Sequence, residues 1–268
     1  MLALLGVFAS IGCKGSLEGT PDASWQDTDA RVMPLPGMLG GVLARSRSAG
    51  AVANGEVRAA FGSGSEESCS AVADIAPCVV IRCGAPQATH PSAGTIMVAG
   101  AAAPVALVPD AGGNYPPYTS ETGALFAPGA RLSVSAAGDD VPAFSISTIA
   151  PSVVTVTQPA LGASLVVDRT VDLSFGWTGA MSGNVRIELS VGGAAAREAL
   201  VCVATATEGH VGMPPSGLAM LPAGSGRYEV RVETDDTIGA GTWTVTFTAA
   251  LVGLSATGGI AEGALSVL

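Results

Sequence analysis

The feature that most constrains this sequence is the alternation of apolar and polar residues in its second half. Four stretches carry the pattern: VDLSFGW (171–177), VRIELSV (185–191), YEVRVE (228–233) and TWTVTFTAAL (242–251). Successive side chains of a β-strand point to opposite faces of the sheet, so this period of two places the apolar residues on one face. An α-helix would scatter them around its axis. The stretches therefore predict strands that are buried on one side.

The other face of these predicted strands carries charged residues and a row of threonines. The charged positions are Asp172, Arg186, Glu188, Glu229 and Arg231. A single wet face is typical of antiparallel sheets, and the apolar face has to be buried against a second sheet. We therefore expect an all-β protein built from β-sandwiches.

Residues 159–268 resemble an immunoglobulin-like or fibronectin type III sandwich, because they combine about seven predicted strands with Trp177 on an early one. The resemblance covers the architecture only, since the cysteine pair of antibody domains is missing from this region. It implies two packed antiparallel sheets. The stretch MPPSGLAML (213–221) predicts a loop with one helical turn.

A second strand-rich region is predicted at residues 32–158. Short runs bounded by Gly and Pro or alternating in polarity indicate its strands, in GTIMVAG, PVALVP, RLSVSA and AFSIST. Pro151 and Pro159 bracket one more predicted strand, which places the domain boundary near Pro159. We expect two tandem sandwiches, one at residues 32–158 and one at residues 159–268.

The charge balance argues against a nucleic-acid partner. The 268 residues include 22 acidic and 12 basic ones, and the net charge is −10. The field of such a chain repels phosphate backbones. Only Lys14 is a lysine, so the other eleven basic residues are arginines.

The first twelve residues, MLALLGVFASIG, form an apolar run that ends directly before Cys13. The run is too short to span a membrane, which takes about 20 apolar residues. It resembles a bacterial lipoprotein signal, in which a small residue, here Gly12, precedes the cysteine that becomes lipidated. The sequence departs from that pattern at Ser10, where a large aliphatic residue is usual, and no basic residue precedes the run.

This resemblance implies cleavage before Cys13, a lipid on that residue, and a polar tether at residues 13–31. Two or more acyl chains would hold the chain stably on a membrane, so we expect a cell-envelope location, at the outer membrane, or secretion. The remaining cysteines would then face an oxidising compartment. The alternative is that residues 1–12 form a buried strand and that Cys13 is a core thiol.

Four cysteines follow this N-terminal segment: Cys69, Cys78, Cys83 and Cys202. They can pair in three ways. A turn at residues 74–77 would fold CSAVA back on CVVIRC and bring Cys69 opposite Cys83 or its neighbour Arg82. Cys78 and Cys83 lie five positions apart on one predicted strand, so their side chains leave opposite faces. The spacing therefore favours a Cys69–Cys83 disulfide.

No stretch carries a catalytic signature. The sequence has no GxSxG elbow, no HExxH pair and no glycine-rich phosphate loop. Histidine occurs only at His90 and His210, both in predicted loops, and a hydrolase would need one of them beside a nucleophile and a carboxylate from distant segments. We expect no enzyme, no catalytic residue and no cofactor, and keep a β-sandwich hydrolase as the least favoured alternative.

Three patterns could ligate a metal, but each has a simpler structural explanation. Zinc would take the closely spaced cysteines, with His90 as the fourth ligand. Copper would take His210 and Met213. Calcium would take oxygen ligands from the acidic turns, at residues 27–29, 138–140 and 234–236. Acidic residues favour turns without any ion, and we expect no metal site.

The stretches from GTIMVAG to the Trp177 strand resemble a layout found in predicted, uncharacterised lipoproteins of GC-rich Gram-negative bacteria. That resemblance implies a location and a fold but no activity. The leading expectation is a cell-envelope lipoprotein whose sandwich loops meet a protein or glycan partner. The alternative is a carbohydrate-binding or adhesive module.

The carbohydrate-binding alternative needs exposed aromatic side chains. Trp177 and Trp243 lie in the alternating pattern on the same side as the core residues, which argues against carbohydrate binding. Trp25 lies in the tether. Tyr115 and Tyr118 flank two prolines and could present an aromatic edge to a ligand, although tyrosines that cap a sandwich are commoner. The exposure of these side chains decides between the two explanations.

Intact-mass measurement tests the N-terminal interpretation. After expression in a Gram-negative host, we expect the chain to begin at Cys13 and to carry the mass of two or more acyl chains. The variant Cys13→Ser should show neither the cleavage nor the added mass. An unmodified chain that begins at Met1 would contradict the lipoprotein interpretation.

Overall fold

The computed structural model describes residues 38–49, 52–62, 69–84, 90–120, 123–162, 164–179, 181–193 and 196–268. Ten strands precede residue 159: β1 (Met38–Ala49), β2 (Val52–Gly62), β3 (Cys69–Ile75), β4 (Cys78–Cys83), β5 (Ile96–Ala99), β6 (Val105–Leu107), β7 (Tyr118–Ser120), β8 (Arg131–Ala136), β9 (Phe144–Ile149) and β10 (Thr155–Gln158). The strands predicted in GTIMVAG, PVALVP, RLSVSA and AFSIST are confirmed as β5, β6, β8 and β9.

The second half adds nine strands and one short helix: β11 (Ser164–Val167), β12 (Leu173–Thr178), β13 (Asn184–Gly193), β14 (Ala196–Thr205), β15 (His210–Met213), α1 (Pro215–Leu218), β16 (Gly224–Ala240), β17 (Trp243–Val252), β18 (Leu254–Ser255) and β19 (Glu262–Val267). All four alternating stretches form strands, and the predicted helical turn is α1. The all-β prediction is confirmed. Among the described residues, no helix has the length and apolar content needed to span a membrane.

Eleven strands form one large mixed sheet. Its hydrogen-bonded order is β3-β4-β14-β13-β16-β17-β1-β2-β7, and β19 lies beside the first part of β16 with β11 next to it. Its pairs are antiparallel except for β1 with β17 and β11 with β19.

The sheet pairing corrects the expected domain division. Strands β1–β4 and β7 come from residues 32–158, whereas β11, β13, β14, β16, β17 and β19 come from residues 159–268, yet all of them belong to the same sheet. The strands therefore do not build two separate tandem sandwiches. Local alternation predicts which residues form strands, but it carries no information about which distant strand becomes the neighbour.

Two four-stranded sheets cover one face of the large sheet. Their orders are β6-β5-β8-β9 and β15-β12-β10-β18. A single hydrophobic core includes buried residues of all three sheets, for example Val57 of β2, Leu132 of β8 and Phe175 of β12. The observed architecture is thus one large sheet with two smaller sheets packed on the same side.

Phe61 joins these layers. Its fully buried ring lies 5.9 Å from that of Tyr115, 6.1 Å from that of Phe144 and 6.2 Å from that of Trp243, measured between centroids. Gly40 lies opposite Phe61 in the β1–β2 pair, and a Cβ at that position would lie 2.2 Å from the ring. Glycine is therefore required there for the phenyl ring to lie across β1.

Two disulfides reinforce one end of the large sheet. Cys69 and Cys83, directly opposite in the β3–β4 pair, are bonded to each other, which is the pairing that the spacing favours. Cys78 and Cys202, opposite each other in the β4–β14 pair, form the second disulfide. This second bond links positions 124 residues apart and so ties the two halves of the chain together covalently.

Replacement of Phe61 by alanine tests whether the two halves share one core. We expect Phe61→Ala to lower the free energy of unfolding by about 3–5 kcal/mol, because it removes a fully buried aromatic ring. Denaturant unfolding should shift as a whole, including the fluorescence of Trp243, which lies in the second half. Met97→Ala, at an exposed position of β5, should change stability little. Two separate transitions of which only one moves would contradict the single core.

Candidate functional site

The second face of the large sheet, opposite the core, is concave and surrounds a cavity of about 780 Å³. Side chains from nine strands line it: β1, β2, β3, β4, β13, β14, β16, β17 and β19. Because β3 lies at one end of the sheet and β2 lies near the other, the sheet has to curl around this space.

Eleven charged side chains line the cavity. Seven of the eleven arginines of the sequence line it: Arg45, Arg47, Arg58, Arg186, Arg197, Arg227 and Arg231. Four glutamates line it too: Glu56, Glu188, Glu229 and Glu262. Seven positive and four negative charges leave a formal charge of +3 on the described wall, while the whole chain carries −10. We call this site the arginine cavity.

Strand register arranges these charges in rows. Glu229 of β16 lies opposite Glu188 of β13 on one side and opposite Glu262 of β19 on the other. In the next row, Arg231 of β16 lies opposite Arg186 of β13. Like charges directly opposite each other destabilise a sheet. Around Glu229 and Arg231 the attractive contacts therefore run from one row to the next, along a strand or diagonally.

Glu229 is the centre of the ion-pair network. Its Oε2 accepts a hydrogen bond of 2.6 Å from Arg45 Nη1, and its Oε1 accepts one of 2.9 Å from Arg231 Nη1. Arg47 Nη2 lies 3.9 Å from the same Oε2, and Arg47 also donates from Nε to Glu262 at 3.0 Å. All of these side chains are at most about one-fifth exposed, so the network is largely withdrawn from water.

Arg45 reaches Glu229 across an intervening strand. Strand β17 separates β1 from β16, and Ala250 of β17 lies beside Arg45 on one side and Glu233 on the other. The small side chain of Ala250 leaves room for the arginine to pass over it. Arg45 also donates to Glu56, directly opposite it on β2, with Nη2 2.8 Å from Oε2. One side chain thus connects three strands.

Three further contacts extend the network towards the ends of the sheet. Glu56 accepts a second hydrogen bond, of 2.6 Å, from Nε of Arg58. At the other end Glu188 accepts one of 2.9 Å from Arg197 Nη1, and its carboxylate lies 4.0 Å from Arg186. Glu56, Glu188 and Glu229 are therefore each held between two or more guanidinium groups, while Glu262 pairs with Arg47.

Burial and the arginines act in opposite directions on these carboxylates. Burial by itself raises the pKa of Glu229, but Arg231, Arg45 and Arg47 outweigh it and lower the pKa from the ordinary 4.5 to about 2. The pKa of Glu56 is lowered as well, because its arginine neighbours outweigh the effect of burial. Both glutamates are therefore ionised at neutral pH.

Two hydrogen-bond donors of the network are left over. The Nε–H groups of Arg45 and Arg186 are buried and have no hydrogen-bond partner within the described part of the chain. A buried donor without a partner costs about 1–3 kcal/mol. Both donors belong to residues that line the cavity.

The same face of the sheet is apolar at its β4–β14 end. Val79, Ala199 and Val201 are buried there, and Ile81 and Val203 pack against them. Val79, Ile81 and Val201 also line the arginine cavity. The cavity therefore combines a charged wall with an apolar one.

Zinc cannot be held in the way that the cysteine spacing suggested, because Cys69, Cys78 and Cys83 are all in disulfides. The copper pair does not converge: His210 is exposed, whereas Met213, three positions along β15, is fully buried. In the described residues, no group of three or more His, Cys, Asp or Glu side chains could hold a metal ion.

The acidic stretches expected in turns have ordinary roles where they are described. Asp140 accepts a hydrogen bond of 3.1 Å from the backbone N–H of Ser92. The acidic stretch at residues 234–236 lies within strand β16 and not in a turn. The stretch at residues 27–29 lies outside the described residues.

His90 lies at a second, smaller cavity of about 350 Å³, which Asp110 and Asn114 also line. The carboxylate of Asp110 accepts hydrogen bonds from the backbone N–H groups of Asn114 and Gly112, and these bonds lower its pKa. The other described lining residues are Ala, Gly, Tyr and Pro, so none of them supplies a serine, threonine or cysteine nucleophile beside His90.

Of the aromatic residues considered for carbohydrate binding, Trp177, Trp243 and Tyr115 belong to the core, and the partly buried Tyr118 packs against it. Trp177 is 4% exposed and Trp243 is 5% exposed. Tyr115 is buried, and its hydroxyl donates to the carbonyl of Gly94 while it accepts from the N–H of Ala93. Cys13 and Trp25 lie outside the described residues.

The sequence predicts the position of four charged residues of the arginine cavity, but not the strands that supply several of the others. Arg186, Glu188, Glu229 and Arg231 lie on the face opposite the core, as the alternation predicts. The hairpin of β1 and β2 supplies Arg45, Arg47 and Arg58, and the hydrophobic pattern does not predict it as a pair of strands. Its inward positions are mostly Gly and Ala, so its hydrophobic period is weak, but ARSRSA and GEVRA do alternate in polarity.

Neither a scan against protein-family models nor a search of curated proteins found a match for this chain. Among solved structures, a Ca²⁺-stabilised adhesin that helps an Antarctic bacterium bind ice aligns at 12% identity. The alignment covers 73% of this chain and 55% of that one, with a TM-score of 0.18. At that score the likeness carries no argument about fold or function.

Acid titration tests the central ion pairs. The pKa of Glu229 is lower in the folded chain than in the unfolded one, so its contribution to stability is present above about pH 4.5 and is lost as the pH falls towards 2. Glu229→Gln should lower the free energy of unfolding by roughly 3 kcal/mol at pH 7, and the difference from the wild type should shrink as the pH approaches 2. Denaturant unfolding at several pH values measures both.

Asp236→Asn is the matched control, because Asp236 is exposed in the same strand and lies outside the cavity. It should leave stability nearly unchanged at every pH. A Glu229→Gln penalty that stays constant down to pH 2 would show that the carboxylate charge is not what stabilises the network.

Proposed function

We propose that this chain is a ligand-binding module of a bacterial cell envelope, held at the membrane by a lipid on Cys13. The observation that carries the binding role is the arginine cavity, a concave recess of about 780 Å³ with charged and apolar walls. Pockets for small molecules have volumes of roughly 300–1,000 Å³ and use a few fixed polar groups to orient the ligand.

The proposed location rests on two independent features. Gly12 and Cys13 match the end of a lipoprotein signal. The disulfides Cys69–Cys83 and Cys78–Cys202 fit an oxidising compartment outside the cytosol, where such bonds persist. A lipid anchor would keep the binding module at the membrane surface, in reach of envelope or external molecules.

In the proposed function, the ligand binds to the face of a sheet and not to the loops of the protein. The adhesive alternative is less well supported, because Trp177 and Trp243 are buried and cannot stack on a sugar. The network of Glu229 and its arginines instead offers fixed donors and acceptors in a recess, which suits the binding of a small polar molecule.

A thermal-shift screen of the full chain tests the binding role. The probes are maltose, galacturonic acid, citrate, inorganic phosphate, glutamate and spermidine, which cover neutral, anionic and cationic chemistry. A probe present at about 100 times its Kd should raise the Tm by roughly 5 °C, because it binds only the folded chain.

Two serine-to-tryptophan variants locate the binding. Ser190→Trp places a large ring in the arginine cavity, so it should abolish the shift. Ser145→Trp places the same ring on an exposed position of β9 and should leave the shift intact. If no probe shifts the wild type, or if both variants respond equally, the cavity is not a ligand site and the proposal is wrong.

A further inference from the structure

We infer that the arginine cavity binds a small oxyanion with two or three negative charges. The inference rests on the proposed function and adds the chemical class of the ligand. The recognised chemistry is that of carboxylate or phosphate groups, which guanidinium groups bind through paired N–H donors.

The positive charge of the chain is concentrated in the arginine cavity. The described wall of the cavity has a formal charge of +3 on a chain whose net charge is −10. The concentration of seven of eleven arginines in one recess cannot be explained by composition alone. A recess lined by one excess sign, with low-dielectric walls, focuses the field and attracts ions of the opposite sign. Glu233, which is buried beside the cavity and paired with Arg231, lowers this excess to +2. An excess of two to three sets the expected charge of the ligand.

Two arginines of the cavity are held in fixed positions. Glu229 fixes Arg45 and Arg231 through hydrogen bonds of 2.6 and 2.9 Å, so these guanidinium groups are held in place before any ligand arrives. An oxyanion in the cavity would therefore meet guanidinium groups that are already ordered, at little cost in side-chain entropy.

The uncharged lining residues indicate the chemistry of the part of the ligand that carries no charge. Thr246, Thr248 and Ser190 bring hydroxyl groups to the wall, while Val79 and Ile81 bring apolar surface. A compact carbon skeleton with hydroxyl groups, such as a hydroxylated polycarboxylate, a sugar acid or a sugar phosphate, fits this combination within the available volume.

A purely structural role explains the network less well. Buried ion pairs add little net stability compared with apolar side chains of similar size, and the same sheet face does use Val79, Ala199 and Val201 at its β4–β14 end. The opposed pairs Arg186–Arg231 and Glu188–Glu229 also place like charges side by side, at a cost to stability. A requirement for charge in the cavity accounts for both observations.

Two substitutions at the cavity give opposite expectations. Arg227 is exposed on β16 at the cavity and has no ion pair within the described residues, so Arg227→Gln removes a positive charge without breaking the network. It should weaken anion binding roughly tenfold. Glu262 pairs with Arg47, so Glu262→Gln removes a negative charge and releases that arginine. It should tighten anion binding roughly threefold.

Isothermal titration calorimetry of the full chain at low salt measures these effects with citrate, pyrophosphate and trigalacturonate. The first two distinguish carboxylate from phosphate, and the third distinguishes a free acid from an acidic glycan. Maltotriose and spermidine are the neutral and cationic probes. Affinity for the anion should fall as NaCl is added, because salt screens the charges. Arg131→Gln, an exposed arginine outside the cavity, is the control and should bind like the wild type.

The results of these titrations distinguish failure of the anion inference from failure of the proposed binding function. Anion binding that Arg227→Gln weakens and Glu262→Gln strengthens supports it. Binding of maltotriose or spermidine that Ser190→Trp abolishes would overturn the anion inference and leave the binding module standing. Anion binding that ignores both charge variants would also overturn it. Absence of binding to every probe would overturn both proposals.

Discussion

The parallel pairing of β1 with β17 is the contact on which the rest of this structure depends. It brings the β1–β2 hairpin, from the first half of the chain, into a sheet whose central strands come from the second half. On one face, this pairing places Phe61 against Trp243 in the shared core. On the other face, it places Arg45 within reach of Glu229. The same backbone ladder therefore creates both the core and the cavity.

The two faces of the large sheet make different energetic contributions. The core face buries apolar side chains against two smaller sheets and supplies the main driving force for folding. The cavity face withdraws glutamates and arginines from water, which costs desolvation energy that their mutual attraction roughly offsets. The low pKa of Glu229 shows that the attraction outweighs burial at this position. Such a face is stable only because the opposite face is packed.

A cavity on a sheet face differs from a loop cluster in how it holds a ligand. Arg45, Glu229 and Arg231 lie on paired strands, so their backbones are fixed by hydrogen bonds on both sides. Sites on regular elements keep their geometry better than sites on loops. The cost of arranging the side chains is met when the chain folds, and little reorganisation is left for the moment of binding.

The sequence by itself determined the strands of the second half, the burial of Trp177 and Trp243, and the favoured pairing of Cys69 with Cys83. These features depend on a period of two residues or on a short turn, and both are local. Only the tertiary structure decided the single core and the arginine cavity. The bond from Arg45 to Glu229 joins positions 184 residues apart, and each strand's alternation is compatible with many neighbours. The choice among those neighbours is made by the packing of the whole core, which no local pattern encodes.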